Sequence, residues 1–257
     1  MKILAIGDVV GKVGVNFLKL KLPKIREDYK IDFVIVNGEN SADGNGILPA
    51  SVRNILSAGA DVITGGNHTF KRKEAFEIFN ENSRIVRPAN YPAPETPGRG
   101  IRKFLVKNTL ICVINLLGVL YMECMRPPID TMNEVLESCQ DCKIKILDFH
   151  AEATAEKLAL AYYLDGRVSA IFGTHTHVQT SDECVLPSGT GYITDVGMTG
   201  PIISVLGVKK ELSIKRMKNR IPVRFENAEG PCKIECVIFD VDENSGLTKS
   251  VKRLRIF

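Results

Sequence analysis

The chain has 257 residues, 44% of them hydrophobic and 25% charged, and carries a formal net charge of +4. That length fits one large domain, and the composition excludes a disordered chain, a collagen and a small disulfide scaffold. The charge is too mild to predict nucleic-acid binding by itself.

In chain order, short apolar runs bounded by Gly, Asn or Pro predict strands at Ile3–Ile6, Phe33–Val36, Val62–Thr64 and Ile85–Val86. Between them, apolar positions 15, 18, 22 and 25 predict a helix over Val15–Tyr29, kinked or broken at Pro23. Further helices are expected at Pro49–Ser57, Lys71–Asn80, Ile129–Cys139 and Thr154–Leu164. Phe104–Val106 and Leu110–Asn115 flank Lys107-Asn108 and read as a hairpin. Strands follow at Ile144–Leu147, Ala170–Phe172, Glu183–Leu186, Gly191–Thr194, Ile234–Phe239 and Lys252–Ile256. Strand–helix–strand alternation in the first 90 residues argues an α/β fold with parallel pairing, to which the later pairs add antiparallel strands. Residues 1–257 read as a single domain, with Gly197–Arg220 as a flap or small cap.

The seven Cys are odd in number and scattered, no signal peptide is evident at the start, and the longest apolar run is too short to span a bilayer. A cytoplasmic protein with reduced thiols and no membrane contact is expected.

Five strands end in the same kind of residue. The runs are followed by Gly7-Asp8, Asn37-Gly38-Glu39-Asn40, Gly65-Gly66-Asn67-His68, Asp148-Phe149-His150 and Gly173-Thr174-His175-Thr176-His177. Ligands of α/β sheets bind beyond the carboxyl ends of the strands, so Asp8, Glu39, Asn40, Asn67, His68, His150, His175 and His177 are expected in one pocket. All four His of the chain fall in this set. Oxygen and imidazole ligands without thiolate favour Mn, Fe, Co or Zn. Eight groups exceed the needs of one ion and suit two ions sharing a carboxylate. His175 and His177, two apart at a strand end, can point the same way and take one ion each. Glu39 and Asn40 are neighbours and can share a site only if the chain curls there.

These motifs resemble those of the calcineurin-like metallophosphoesterases. Asp8-Val9-Val10-Gly11, Gly38-Glu39-Asn40, Gly66-Asn67-His68-Thr69-Phe70, Arg87-Pro88-Ala89-Asn90-Tyr91-Pro92 and Gly173-Thr174-His175-Thr176-His177 are similar in particular to the YmdB-like branch. The resemblance implies a four-layer αββα sandwich of two mixed sheets and a dinuclear site, with Fe or Mn foremost and Zn or Co as other occupants. It implies Glu39 as the bridging carboxylate. Asp8, Asn40 and His177 would serve one ion, and Asn67, His150 and His175 the other. His68 would face the substrate. The wider superfamily has Asp-x-His at the start; Val10 stands at that His and cannot ligate, which makes Asn40 the substitute.

Two ions about 3.5–4 Å apart can hold a hydroxide for attack on phosphorus, with His68 assisting the leaving group. The resemblance implies phosphodiesters as substrates, including 2′,3′- or 3′,5′-cyclic nucleotides, and makes self-association plausible. The rival readings are a nucleotide- or RNA-binding regulator with little turnover, and a phosphomonoesterase. Other signals read as structural. Gly7–Val13 has the wrong spacing for a phosphate loop. Cys139 and Cys142 read as surface or semi-buried thiols, Lys209–Arg220 as a solvated helix face or flap with a contact to substrate or RNA phosphate as the other reading, and Tyr162-Tyr163 as core packing.

Overall fold

A computed structural model describes all residues 1–257. Its strands are β1 (Lys2–Ile6), β2 (Asp8–Val9), β3 (Phe33–Asn37), β4 (Val62–Thr64), β5 (Ile85–Val86), β6 (Ile101–Val106) and β7 (Thr109–Leu117), then β8 (Ile144–His150), β9 (Ala170–Thr174), β10 (Cys184–Val185), β11 (Gly191–Ile193), β12 (Met198–Pro201), β13 (Cys232–Val241) and β14 (Thr248–Ile256). The helices are α1 (Gly11–Asp28), α2 (Pro49–Ser57), α3 (Ala75–Glu81), α4 (Pro128–Ser138), α5 (Thr154–Leu164) and α6 (Lys210–Asn219).

The strands form two mixed sheets. One has the order β2-β12-β13-β1-β3-β4-β5 with β14 on β13, and the other β10-β11-β9-β8-β7-β6. β1, β3, β4 and β5 run parallel, as do β7, β8, β9 and β11. Three apolar clusters define the layers. Leu18, Leu22 and Ile25 of α1 pack on the outer face of the first sheet through Leu4, Val34 and Ile63. Ile3, Ala5 and Ile35 on its other face meet Val113, Ile146 and Phe172 of the second sheet. Leu147, Phe149 and Ile171 pack under Leu160, Ala161 and Leu164 of α5. The alternation of side chains along each strand feeds both interfaces, and the result is the four-layer αββα sandwich expected. Phe172 is fully buried between the sheets; truncating such a ring to Ala costs about 3–5 kcal/mol.

Several boundaries differ from the sequence expectation. α1 begins four residues early, at Gly11, and continues through Pro23. Pro23 and Lys19 are both exposed, so the carbonyl that the proline leaves unpaired meets water. Residues 71–74 are turns, and α3 is shorter than the periodicity predicts. Within residues 197–220, Met198–Pro201 is a buried strand of the first sheet, paired with β2 and β13; α6 lies beyond it and is exposed on almost every face. Tyr162 and Tyr163 are exposed on α5, contrary to the core packing expected: Tyr163 bonds Asn133 and carries Arg167 over its ring. Cys139 and Cys142 are fully buried in the third cluster, more deeply than expected.

The parallel strands of both sheets deliver their carboxyl ends to one edge. There the sheets are joined by polar contacts. Asn37 Nδ2 donates to Asp148 Oδ2 at 2.9 Å, and the Gly65 amide donates to Asn115 Oδ1 at 3.2 Å.

Candidate metal centre

All eight strand-end residues converge at that edge. Asp8, Glu39, Asn40 and His150 are buried, and His68 and His175 are partly open. Asp8, Glu39 and His150 each bring a ligand atom within 4.8 Å of the other two, the chemistry of a divalent-cation site.

Backbone turns aim these side chains. β3 stops at Asn37, and the chain turns with the Ser41 amide donating to Gly38 O. Glu39 and Asn40 are therefore not on opposite faces of a strand: Asn40 Nδ2 donates to Glu39 Oε1 at 2.8 Å. Likewise β9 stops at Thr174, so His175 and His177 are turn residues with φ of 104° and 63°. These conformations are strained for residues with a Cβ and mark a site held by its surroundings. The turn sends the two rings to different neighbours. His175 Nδ1 lies 3.0 Å from His150 Nε2, whereas His177 Nε2 lies 3.2 Å from Asn40 Nδ2 and 3.8 Å from Asp8 Oδ1. The His175 amide donates to Asp8 Oδ2 at 3.1 Å and the His68 amide to Glu39 Oε2 at 2.8 Å. Gly66 is required by close approach: a Cβ there would overlap Glu39 Oε2 and come within 2.6 Å of His150 Nε2.

The electrostatics call for a cation. Asp8 and Glu39 are fully buried and paired with no Lys or Arg; their only ion-pair neighbours are His68, His150 and His177. Burial, and next the charge of Glu39, push Asp8 well above the usual carboxylate range. Burial lowers His150 to about 3, so its ring is neutral, and burial also lowers His175 and His177. Burial opposes ionisation of Glu39 as well, but the hydrogen bonds it accepts from the His68 ring and the His68 amide hold it low.

The tautomer of His150 follows from its neighbours. Burial raises Asp148 to about 7, against hydrogen bonds from Thr64, Thr174 and Asn37. Once ionised, Asp148 only accepts. The Thr174 hydroxyl then donates to Asp148 Oδ1 at 2.7 Å and must accept from His150 Nδ1 at 2.9 Å. The His150 Nε2 lone pair therefore faces Asn67 Oδ1 at 2.9 Å and Glu39 Oε1 at 3.5 Å. The Nε2 lone pair and these two oxygens converge as acceptors with no proton from His150 between them, an arrangement that a cation satisfies. The donor set of imidazole, carboxylate and amide oxygen fits a divalent transition ion.

His68 differs from the other histidines. Its Nδ1 faces Asn40 Oδ1 at 2.8 Å and Glu39 Oε1 at 3.1 Å, so that nitrogen carries the proton, and Nε2 has no protein partner.

Comparison with known proteins agrees with this geometry. The family model described as YmdB-like protein matches residues 4–254. The chain belongs to the YmdB-like family. That bears out the resemblance carried by the strand-end motifs. A 2′,3′-cyclic-nucleotide 2′-phosphodiesterase of Bacillus subtilis (strain 168) is 45% identical over 257 residues, covering 100% of this chain and 97% of that protein. Among solved structures, a hypothetical protein from Thermus thermophilus is 37% identical with a TM-score of 0.94, covering 99% of this chain and 98% of the other. A structure described as a novel phosphatase of Mycoplasma pneumoniae is 36% identical with a TM-score of 0.93, covering 100% and 93%.

Sequence reasoning missed the layer around this YmdB-like centre. Asp148 stood in a strand-end motif, but an acidic residue inside an apolar strand gave no sign of its contacts with Thr64, Thr174 and Asn37. Leu206 O, which lies 3.1 Å from His177 Nδ1, is a backbone group and left no sequence signal. Glu152, 3.2 Å from His175 Nε2, lies two residues past the motif that contains His150. Lys157 is fully buried, donating to Thr174 O at 3.0 Å and Asp195 Oδ2 at 2.9 Å, and Asp195 also accepts from the Thr176 amide. This pair braces the strained His175–His177 turn from behind. No helix of the chain is long and apolar enough to cross a membrane.

Proposed function

We propose that the chain is a metal-dependent phosphodiesterase acting on cyclic nucleotides, 2′,3′-cyclic phosphodiesters foremost, with two divalent ions, Mn or Fe ahead of Zn or Co. The observation that carries this reading is the pair of buried carboxylates, Asp8 and Glu39, with no Lys or Arg partner and with neutral imidazoles converging on them. The name of the Bacillus relative supports the substrate class.

The ligand sets divide by proximity. Glu39, Asn67, His150 and His175 would hold one ion; Asp8, Glu39, Asn40 and His177 the other. Asn40 belongs to the second set by position, against Asp8, Glu39 and His177. Bound divalent ions supply Lewis acidity to the phosphoryl oxygens and lower the pKa of water in the site.

The chain's own residues do the rest. Asp8 and Glu39 bring two negative charges against about four positive ones, so the site keeps its attraction for an anionic phosphoryl group. The braced His175–His177 turn fixes the imidazoles before substrate arrives. His68 Nε2, the unpartnered nitrogen, is the group placed to protonate the leaving ribose oxygen; it does so from the imidazolium form, in which Nδ1–H stays on Asn40 and Glu39 while Nε2–H is free to be given up. Hydrolysis then adds water across one P–O bond and leaves a phosphomonoester.

The test is turnover of 2′,3′-cyclic AMP, with and without chelator, beside a nucleoside monophosphate. The reading expects metal-dependent opening of the cyclic diester and little release of phosphate from the monoester. Bound nucleotide without product would favour a sensor, and preferential monoester cleavage would favour a phosphomonoesterase.

A further inference from the structure

Beside the metal centre lies an open groove of about 1110 Å³, larger than the roughly 300–1,000 Å³ of small-ligand pockets. Its walls continue the segments that hold the site. Lys12 follows Asp8 by four residues, and its amide donates to Asp43 Oδ1 at 3.0 Å. Asp43 follows Asn40 by three residues and also accepts from Asn227 Nδ2 at 3.1 Å. The Lys71 amide donates to His68 O at 3.0 Å. Leu206, whose carbonyl meets His177, leads directly to Val208 on the opposite wall.

The groove is basic in its unpaired charges. Lys12, Lys71 and Arg224 line it, are exposed, and have no carboxylate within ion-pair distance. The other charges are largely engaged. Lys209 is paired with Glu226 at 2.6 Å, and the Arg72 guanidinium is tied to the carbonyls of Asp43 and Asn45. The Asp43 carboxylate accepts only from neutral donors, the Lys12 amide and Asn227 Nδ2, so Asp43 and Glu229 both lack an ion-pair partner, against the three unpaired cations and the Arg72 guanidinium, which is bonded to carbonyls alone. Phe225 is the groove's only aromatic side chain; it is partly exposed, with Arg216 over its ring.

A cyclic mononucleotide has one phosphate, and the metal centre takes it. The adjoining groove is then left with an excess of cationic side chains, Lys12, Lys71, Arg72, Lys209 and Arg224 against Asp43, Glu226 and Glu229. We propose that the substrate is an RNA strand whose 3′ end carries the 2′,3′-cyclic phosphate, with the phosphates preceding that end tracked by Lys12, Lys71 and Arg224. Single-stranded nucleic acid is held in this way, by a basic groove with an aromatic face for a base, and Phe225 supplies that face. The inference rests on the phosphodiesterase reading. In the step itself a water oxygen bonds to phosphorus, the P–O2′ bond breaks, the 2′-oxygen takes a proton, and the strand is left with a 3′-phosphate.

The experiment has a binding arm and a turnover arm, both with Mn-loaded full-length protein. Fluorescence anisotropy follows a labelled hexaribonucleotide ending in 3′-phosphate, the product form. About three phosphate contacts on a single strand give a salt slope near −2, so affinity falls roughly 20-fold from 50 to 200 mM salt. In the K12Q/K71Q/R224Q variant the slope flattens towards zero and the low-salt Kd rises about 20-fold. In the turnover arm, the hexamer ending in a cyclic phosphate has a KM about tenfold below that of 2′,3′-cyclic AMP, and the triple substitution brings the ratio of the two towards one. Equal KM values with no measurable hexamer binding, as expected if an acidic protein surface occupied the groove, overturn the proposal. So does a triple variant that binds the hexamer as wild type does. Failure to hydrolyse either substrate while the hexamer binds with the expected slope overturns the phosphodiesterase reading alone.

Discussion

The Thr174 hydroxyl lies 2.9 Å from Nδ1 of His150 and ties that ring to Asp148. One hydrogen bond thereby decides which imidazole nitrogen faces the metal centre. Thr174→Val keeps the shape of the side chain and removes the hydroxyl. Losses of this kind weaken metal binding about 10–100-fold. Calorimetric titration with Mn is expected to show that loss in the Val variant and near-normal affinity in Thr174→Ser.

His68 and His175 should separate by role. His175→Ala is expected to lose metal. His68→Ala is expected to keep metal and to lose about 10²–10⁴-fold in kcat, because its Nδ1 is engaged by Asn40 and Glu39 and its Nε2 is free. Parallel metal analysis and kinetics on the two variants check this. Loss of metal from the His68 variant would make it a ligand instead.

Gly66 tolerates no side chain. Gly66→Ala places a methyl group against Glu39 Oε2 and His150, so either the carboxylate or the imidazole must move. The expected outcome is weakened metal binding with a folded circular-dichroism spectrum, since the 65–68 turn can shift while the strands stay paired.

The buried histidine gives a pH dependence with a definite sign. In the fold, burial keeps His150 neutral down to about pH 3, whereas an unfolded histidine titrates near 6.5. Between those values the unfolded chain binds the extra proton, so the contribution of His150 to stability is complete above about pH 6.5 and is lost as pH falls. Gln cannot titrate. Urea denaturation of chelated protein should show wild type losing stability relative to His150→Gln by roughly 1.4 kcal/mol per pH unit between pH 6 and 4.5. A gap independent of pH would mean that His150 is protonated in the fold.

Much of the centre was legible because it lies where chain chemistry and topology coincide. Asp8, Glu39, Asn67 and His68 follow apolar strands and His150 is the last residue of one, and parallel strands bring such ends together. The sequence also showed that Glu39 and Asn40 needed a turn between β3 and their side chains, and the turn is there. Only the direction of the His175 and His177 rings differs from the sequence reading, because left-handed backbone replaces strand alternation there. Met198–Pro201 looked like flap because Gly and Pro are poor strand formers; its pairing with β2 and β13 overrides that propensity. The Asp148–Thr174 contact was not legible at all, since nothing in either residue's neighbours specifies a bond between strands β8 and β9.

The central claim is a two-ion centre built on Asp8 and Glu39, and metal stoichiometry tests it most directly. Mn titration of chelator-stripped protein, read by calorimetry and by metal analysis after desalting, should give two ions per chain in wild type and fewer in both Asp8→Asn and His175→Ala. Wild-type protein that binds no metal, or both variants retaining two ions, would contradict the account.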